Sequence, residues 1–305
     1  MTTWLDAPFH LRFRVIDGLT VRFAQSRAAP GGPALGGRQE QEHALLLSPW
    51  PESLLAFEPV WTPLAEHAHL VAVDLPGFGR SQHRDALLSP RAMSEFIITA
   101  ADAFELEHPH LVAPGTGTPA ALFAAARHPG RLRSLVVGSA AAAVPLLGGP
   151  LRDWIEAADL DAFRHADPRP LVAGALASLK RSVTAEAVLE DYLASCQGNR
   201  LAESMRYVRA YPAELPVLAR LLPQIRTPVQ IIAGAHDTAV PPTNAEFMAE
   251  RLPRNRLDIL EAGHFTWEDA PDEYAALVTS WWRETTGTSA DIAGNPTPGQ
   301  RSSTR

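Results

Sequence analysis

Six short apolar runs recur from residue 44 onward: ALLL at 44–47, LVAV at 70–73, LVA at 111–113, SLVV at 134–137, VQIIA at 229–233 and RLDIL at 256–260. Longer stretches with helical spacing separate them. Continuous apolar strands are buried on both faces, as in a parallel sheet. Their alternation with helices predicts α/β winding, a mostly parallel central sheet flanked by helices. Such a sheet carries its site beyond the carboxyl ends of its strands. The residues that follow each run are therefore the ones that matter for chemistry. Upstream, LRFRVIDGLTVRFAQ at 11–25 places two alternating runs around Asp17-Gly18, a hairpin signal. The Gly- and Pro-rich stretch 27–42 reads as an exposed loop.

Between residues 143 and 225 the alternation stops. LRDWIEAADLDAFRHA and TAEAVLEDYLASC have helical spacing with no strand between them, which predicts a helical insertion or cap. Pro-containing joins near 145–150 and 223–228 would hinge it. The expected organisation is a core of 1–142 and 226–286, a cap of 143–225, and a small, polar, disordered tail over 287–305. The 305 residues are 46% apolar and 20% charged, enough for a sizeable core. The net charge of −7 and the lack of any basic cluster argue against a nucleic-acid partner. A single cysteine, Cys196, excludes a disulfide framework and a cysteine-rich zinc site. No apolar run reaches the roughly 18 residues that span a bilayer. The N-terminal segment lacks the order of a signal peptide. A cytoplasmic protein with no membrane partner is expected, its oligomeric state open.

Four stretches carry a resemblance: LLLSPWPES at 45–53; VAVDLPGFGRS at 71–81; HLVAPGTGTPAALFAAARHP at 110–129; and AGAHDTAVPP at 233–242 followed by EAGHFTWEDAP at 261–271. In this order and spacing they resemble the α/β-hydrolase superfamily, and more narrowly its capped epoxide-hydrolase and haloalkane-dehalogenase branch, over roughly residues 10–285. Asp237 follows one apolar strand and His264 the next. A carboxylate that holds an imidazole in one tautomer makes its other ring nitrogen a base, and the resemblance implies those roles here. The alternative is that Asp237 caps a helix and His264 merely packs.

The elbow departs from the family pattern of strand, G-x-nucleophile-x-G, helix. A gap-free match from His110 to Pro129 puts Ala113, Pro114, Gly115, Thr116 and Gly117 on those places. The nucleophile place then falls on Gly115, which has no side chain. A shift of two puts Gly117 there. A shift of one puts Thr116 there but displaces strand and helix together. Glycine tolerates the strained dihedrals of such an elbow, yet no covalent intermediate can form on it.

The family's His-Gly pair appears as Ser48-Pro49. By position the usual oxyanion donors would be the backbone N–H groups of Trp50 and Thr116. The positive end of the following helix would point at the same spot. Trp50 is equally readable as a wall of the pocket. Ser48 is a candidate for orienting substrate. Ser139 and Cys196 have no positional case as nucleophiles. Tyr192, Tyr207 and Tyr211 resemble the phenol donors of epoxide-hydrolase caps. Tyr207 and Tyr211 would share one face of a continuous helix, although core or rim packing is the blander reading. His83, His108, His110 and His128 show no metal-ligand spacing, so no metal is expected.

A His–Asp base with oxyanion donors and no nucleophile can remove a proton beside a carbonyl and stabilise the enolate. The first expectation is therefore a cofactor-independent lyase, driving elimination or cyclisation on a small, polyketide-like molecule in antibiotic biosynthesis. The alternative is a hydrolase of an ester, lactone or epoxide in which His264 activates water. A non-catalytic binding protein is the third reading.

Overall fold

The structure, a computed structural model, describes residues 9–26, 42–156, 159–160, 163–164 and 166–293. The expected loop at 27–42 lies outside these residues except for Glu42. In chain order the elements are β1 (Leu11–Ile16), β2 (Leu19–Gln25), β3 (His43–Leu47), α1 (Glu58–Ala65), β4 (His69–Val73), α2 (Pro90–Ala103), β5 (His110–Pro114), α3 (Gly117–Arg127) and β6 (Ser134–Gly138). Five helices follow: α4 (Gly149–Glu156), α5 (Arg169–Leu176), α6 (Glu186–Ser195), α7 (Arg200–Val208) and α8 (Tyr211–Leu221). The chain then returns through β7 (Val229–Gly234), α9 (Thr243–Ala249), β8 (Asn255–Leu260), α10 (Thr266–Asp269) and α11 (Pro271–Ala293).

The eight strands form one sheet in the order β1-β2-β4-β3-β5-β6-β7-β8. β1 and β2 form the hairpin, with Ile16 opposite Leu19 across a two-residue turn. Asp17 and Gly18 both take left-handed dihedrals, φ +49° and +73°, the requirement of a type I′ turn. From β4 to β8 all pairings are parallel. Every residue of β5, β6 and β7 is buried, as their unbroken apolar runs require. α1 packs against α11, and α2 against α3 and α8. α2 starts sharply because the Ser89 hydroxyl accepts from the Ala92 N–H and Pro90 fills the first turn.

Two expectations change. The segment 287–293 is helical, because α11 continues through it to Ala293. The segment holds one glycine, Gly287, and no proline to interrupt it. The rest of the expected tail, 294–305, lies outside the described residues. Tyr207 and Tyr211 do not share a helix. α7 ends at Val208 and Pro212 starts α8 afresh. No helix among the described residues is long and apolar enough to cross a membrane.

Buried polar ties fasten α6 and α7 to the sheet. The Arg22 guanidinium on β2 donates to Asp74 at 2.5 Å and, through both terminal nitrogens, to Asp191 on α6 at 2.7 and 2.9 Å. Arg200 donates to the carbonyls of Gly79 at 2.6 Å and Ser81 at 2.8 Å, inside the turn that follows β4. Asp74 also accepts from the N–H groups of Leu54 and Arg80. The PGFGRS turn is thus held by buried charge.

Candidate active site

Parallel packing puts the ends of β3, β5, β6, β7 and β8 side by side. The loops leaving them bring Trp50, Gly115, Thr116, Ser139 and His264 around one cavity of about 300 Å³. Asp237 sits behind it. Its Oδ2 lies 2.6 Å from His264 Nδ1, and its Oδ1 accepts from the N–H groups of Ala239 and Val240. These bonds lock the carboxylate and leave the other imidazole nitrogen for the cavity side. The Asp237 side chain is wholly buried, while His264 keeps 14% of its surface.

Gly115 makes the turn between β5 and α3 at φ +57°. Its N–H donates to Gly138 O on β6. A methyl group built on it would meet only Pro49 Cβ, at 3.7 Å, so open space lies above it. A longer side chain at this position would reach into this space. Among the described residues, the N–H groups of Trp50 and Thr116 donate to no backbone carbonyl. The Thr116 hydroxyl is buried without a partner among the same residues.

The other sequence candidates divide. Trp50 lines the cavity, but its indole N–H is used on Ser204 Oγ at 2.9 Å and its ring meets Trp154 edge-on. Its side chain is therefore a wall; only its backbone N–H is left to donate. Ser48 does not line the cavity. It is fully buried, and its hydroxyl accepts from Leu75 N at 3.4 Å, which ties it to the turn after β4. Tyr207 is not a free phenol donor: its hydroxyl donates to Thr116 O at 3.0 Å, which braces the elbow from α7. Tyr211 lines the cavity and packs edge-on against Tyr207. Tyr192 lies outside the cavity, bonded to Glu268. Cys196 is buried, its thiol pushed up to about 12 by burial, so it carries no thiolate at neutral pH.

Sequence reasoning missed a buried acidic pair. Glu52 follows the Trp50-Pro51 turn, and Glu268 lies four residues after His264. Burial, and then the neighbouring Glu268 carboxylate, drive the Glu52 carboxyl well above the ordinary range. Burial holds Glu268 up at about 7 from its ordinary 4.5. Two carboxyls in one apolar site keep at least one proton. The only signal was one acidic residue in the segment after β3 and one in α10, which the fold brings together.

The direction of the pH effect follows. Between pH 4.5 and about 7 the folded chain holds a Glu268 proton that the unfolded chain has released, so this group's contribution to stability falls as pH rises through that window. Glu268→Gln keeps an acceptor for Tyr192 and removes the titration. Thermal melts from pH 5 to 8 are expected to show a gain in Tm over wild type that grows with pH to at least about 2–4 °C, the shift for roughly 1 kcal/mol in a large domain. A difference that stays constant with pH would remove Glu268 from the titration.

The cavity walls are mostly apolar: Leu151, Trp154, Leu171, Val208 and Phe265 among them. Apart from His264, the lining includes no basic side chain among residues whose side chains are described, so a substrate anion would find no countercharge there.

The α/β-hydrolase fold family model matches residues 43–271. The chain belongs to the α/β-hydrolase fold family. Of curated relatives, the 2-hydroxymuconate semialdehyde hydrolase of Pseudomonas sp. strain CF600 is 28% identical over 240 residues, 74% of this chain and 80% of the relative. The pimeloyl-[acyl-carrier protein] methyl ester esterase of Neisseria meningitidis is 28% identical over 256 residues, 76% of this chain and 74% of the relative. The crystal structure of the enol-lactonase from Burkholderia xenovorans LB400 superposes with a TM-score of 0.72 at 19% identity, covering 89% of this chain and all of that one. Their names describe hydrolytic enzymes. Elimination, and a place in antibiotic biosynthesis, find no support among them.

Proposed function

We propose that this α/β-hydrolase-fold chain is a hydrolase acting on an uncharged, largely apolar ester or lactone, with water rather than a side chain as the attacking group. The observation that carries this reading is the Asp237–His264 pair, bonded at 2.6 Å and opening on a cavity whose elbow residue is Gly115. In this reading Gly115 holds the family's nucleophile place, and helices α4–α8 form the cap of a capped branch. His264 takes a proton from a water over Gly115. The hydroxide adds to the carbonyl carbon. The N–H groups of Trp50 and Thr116, at the start of α3, face the oxyanion. The tetrahedral intermediate collapses as His264 returns the proton to the leaving alkoxide. One water is consumed, and acid and alcohol are released. An epoxide is less well served, since Tyr207 has already committed its proton to Thr116 O.

Isotopic water is the test. Turnover of an ester in H₂¹⁸O is expected to place the label in the acid product. Product free of label would return the elimination reading instead. A fluorophosphonate probe is expected to leave the wild type unlabelled. Gly115→Ser is expected to become labelled at residue 115, because a serine Cβ has room there. It is also expected to lose about 1–2 kcal/mol of stability, since a non-glycine residue is strained at that φ. Mass spectrometry and denaturant melts read both. Wild-type labelling at a cavity serine would overturn the water route.

A further inference from the structure

Ser139 is the residue that the description above leaves without a role. It follows β6, is 3% exposed, and lines the cavity with Gly115 and His264. Its hydroxyl oxygen is buried in the present side-chain rotamer and has no hydrogen-bond partner among the described residues. Its backbone is left-handed, φ +44°, a conformation that serine adopts only against a steric cost. An unmade hydrogen bond and a strained backbone at one residue both lower stability. Residues that keep such features facing a cavity are candidates for function.

The sheet order says on which side of the reacting centre this hydroxyl stands. β6 lies between β5 and β7. Pro114 pairs with Gly138, so Gly115 and Ser139 are the next residues across neighbouring strands, which run about 4.8 Å apart. The Trp50 loop leaves β3, on the opposite side of β5, while Asp237 and His264 follow β7 and β8. Ser139 therefore stands on the base side of Gly115, away from the Trp50 N–H.

We propose that Ser139 Oγ, turned about its Cα–Cβ bond toward the cavity that the residue lines, accepts a hydrogen bond from the attacking water, holding it over Gly115 while His264 removes the other proton. The inference rests on the hydrolytic reading above and adds the group that fixes the nucleophile. A family serine or aspartate is held at the elbow by its own Cα–Cβ bond. A water has no such tether, and needs a second protein contact besides the base to be aimed. A hydroxyl in a dry, apolar cavity supplies that contact without charge. Ser139 is not itself placed as a nucleophile, because no bond to His264 activates it.

The test uses the whole chain with p-nitrophenyl butyrate, a short neutral ester. Ser139→Ala is expected to lower kcat by about 10²-fold, the scale of a misaimed reactant, with KM changed by less than about twofold because the ester's own contacts stay. Ser139→Gly separates function from folding. It is expected to lose the same kcat while its Tm rises, since glycine takes the left-handed backbone without strain. Equal kcat in wild type and Ser139→Ala, with ¹⁸O incorporated by both, would overturn this proposal and leave the hydrolytic reading intact. An acyl adduct on Ser139 trapped during turnover would overturn it too. No turnover by wild type, or product without ¹⁸O, would overturn the hydrolytic reading and this inference with it.

Discussion

His264→Ala is expected to lower kcat toward p-nitrophenyl butyrate by about 10²–10⁴-fold, the usual share of a positioned acid–base group. The proposed water route draws on no second base among the described lining residues, so the variant is expected to lose both proton removal from the nucleophile and proton return to the alkoxide. The fold should survive. Asp237 keeps the N–H groups of Ala239 and Val240, so its buried carboxylate is not orphaned, and the lost ring is partly exposed. A steady-state assay beside a thermal melt checks both halves. Near-wild-type kcat would remove His264 from the chemistry. A collapse of Tm would mean that the pair is structural. Asp237→Asn supplies an independent arm, since an amide can hold the ring in the wrong tautomer while keeping its shape.

Arg22→Met is expected to cost the largest loss of stability, about 3–5 kcal/mol, as when one partner of a buried ion pair is removed. Arg22 is 3% exposed and serves two carboxylates at once. Without it Asp74, wholly buried, keeps only backbone donors. Burial already pushes the Asp74 carboxyl upward despite Arg22. Burial also works against Asp191, yet the Arg22 bonds outweigh it and hold that carboxyl below the ordinary range. The substitution thus strands one charge in the core and releases α6 from the sheet. Urea unfolding at neutral pH measures the loss, and Asp74→Asn in the same chain should recover part of it. A single substitution costing under about 1 kcal/mol, the scale of an exposed ion pair, would show that the network is not load-carrying.

Much of this architecture is local information. A buried parallel strand announces itself as an unbroken apolar run, and all six runs are strands. The Asp17-Gly18 hairpin is written in two residues whose backbone freedom selects the turn. The pairing of Asp237 with His264 was legible because each follows a strand, and parallel packing brings such positions to one edge. The end of α11 is less legible, because small polar residues look like a tail until a helix already nucleated upstream carries them along.

Contacts between distant segments were beyond any pattern in the chain. Tyr207 commits its proton to a carbonyl 91 positions away, and Trp50 bonds a serine 154 positions away. Glu52 and Glu268 become one buried acidic pair only when the segment after β3 meets α10. Ser48 and Ser139 both follow strands in the sequence. One is buried and bonded to the turn after β4; the other lines the cavity, its hydroxyl buried without a partner among the described residues. Periodicity and turn chemistry act over a few residues and are encoded where they occur. The partner of a polar group depends on which surfaces come within about 3 Å after packing, a distance that exists only in the folded chain.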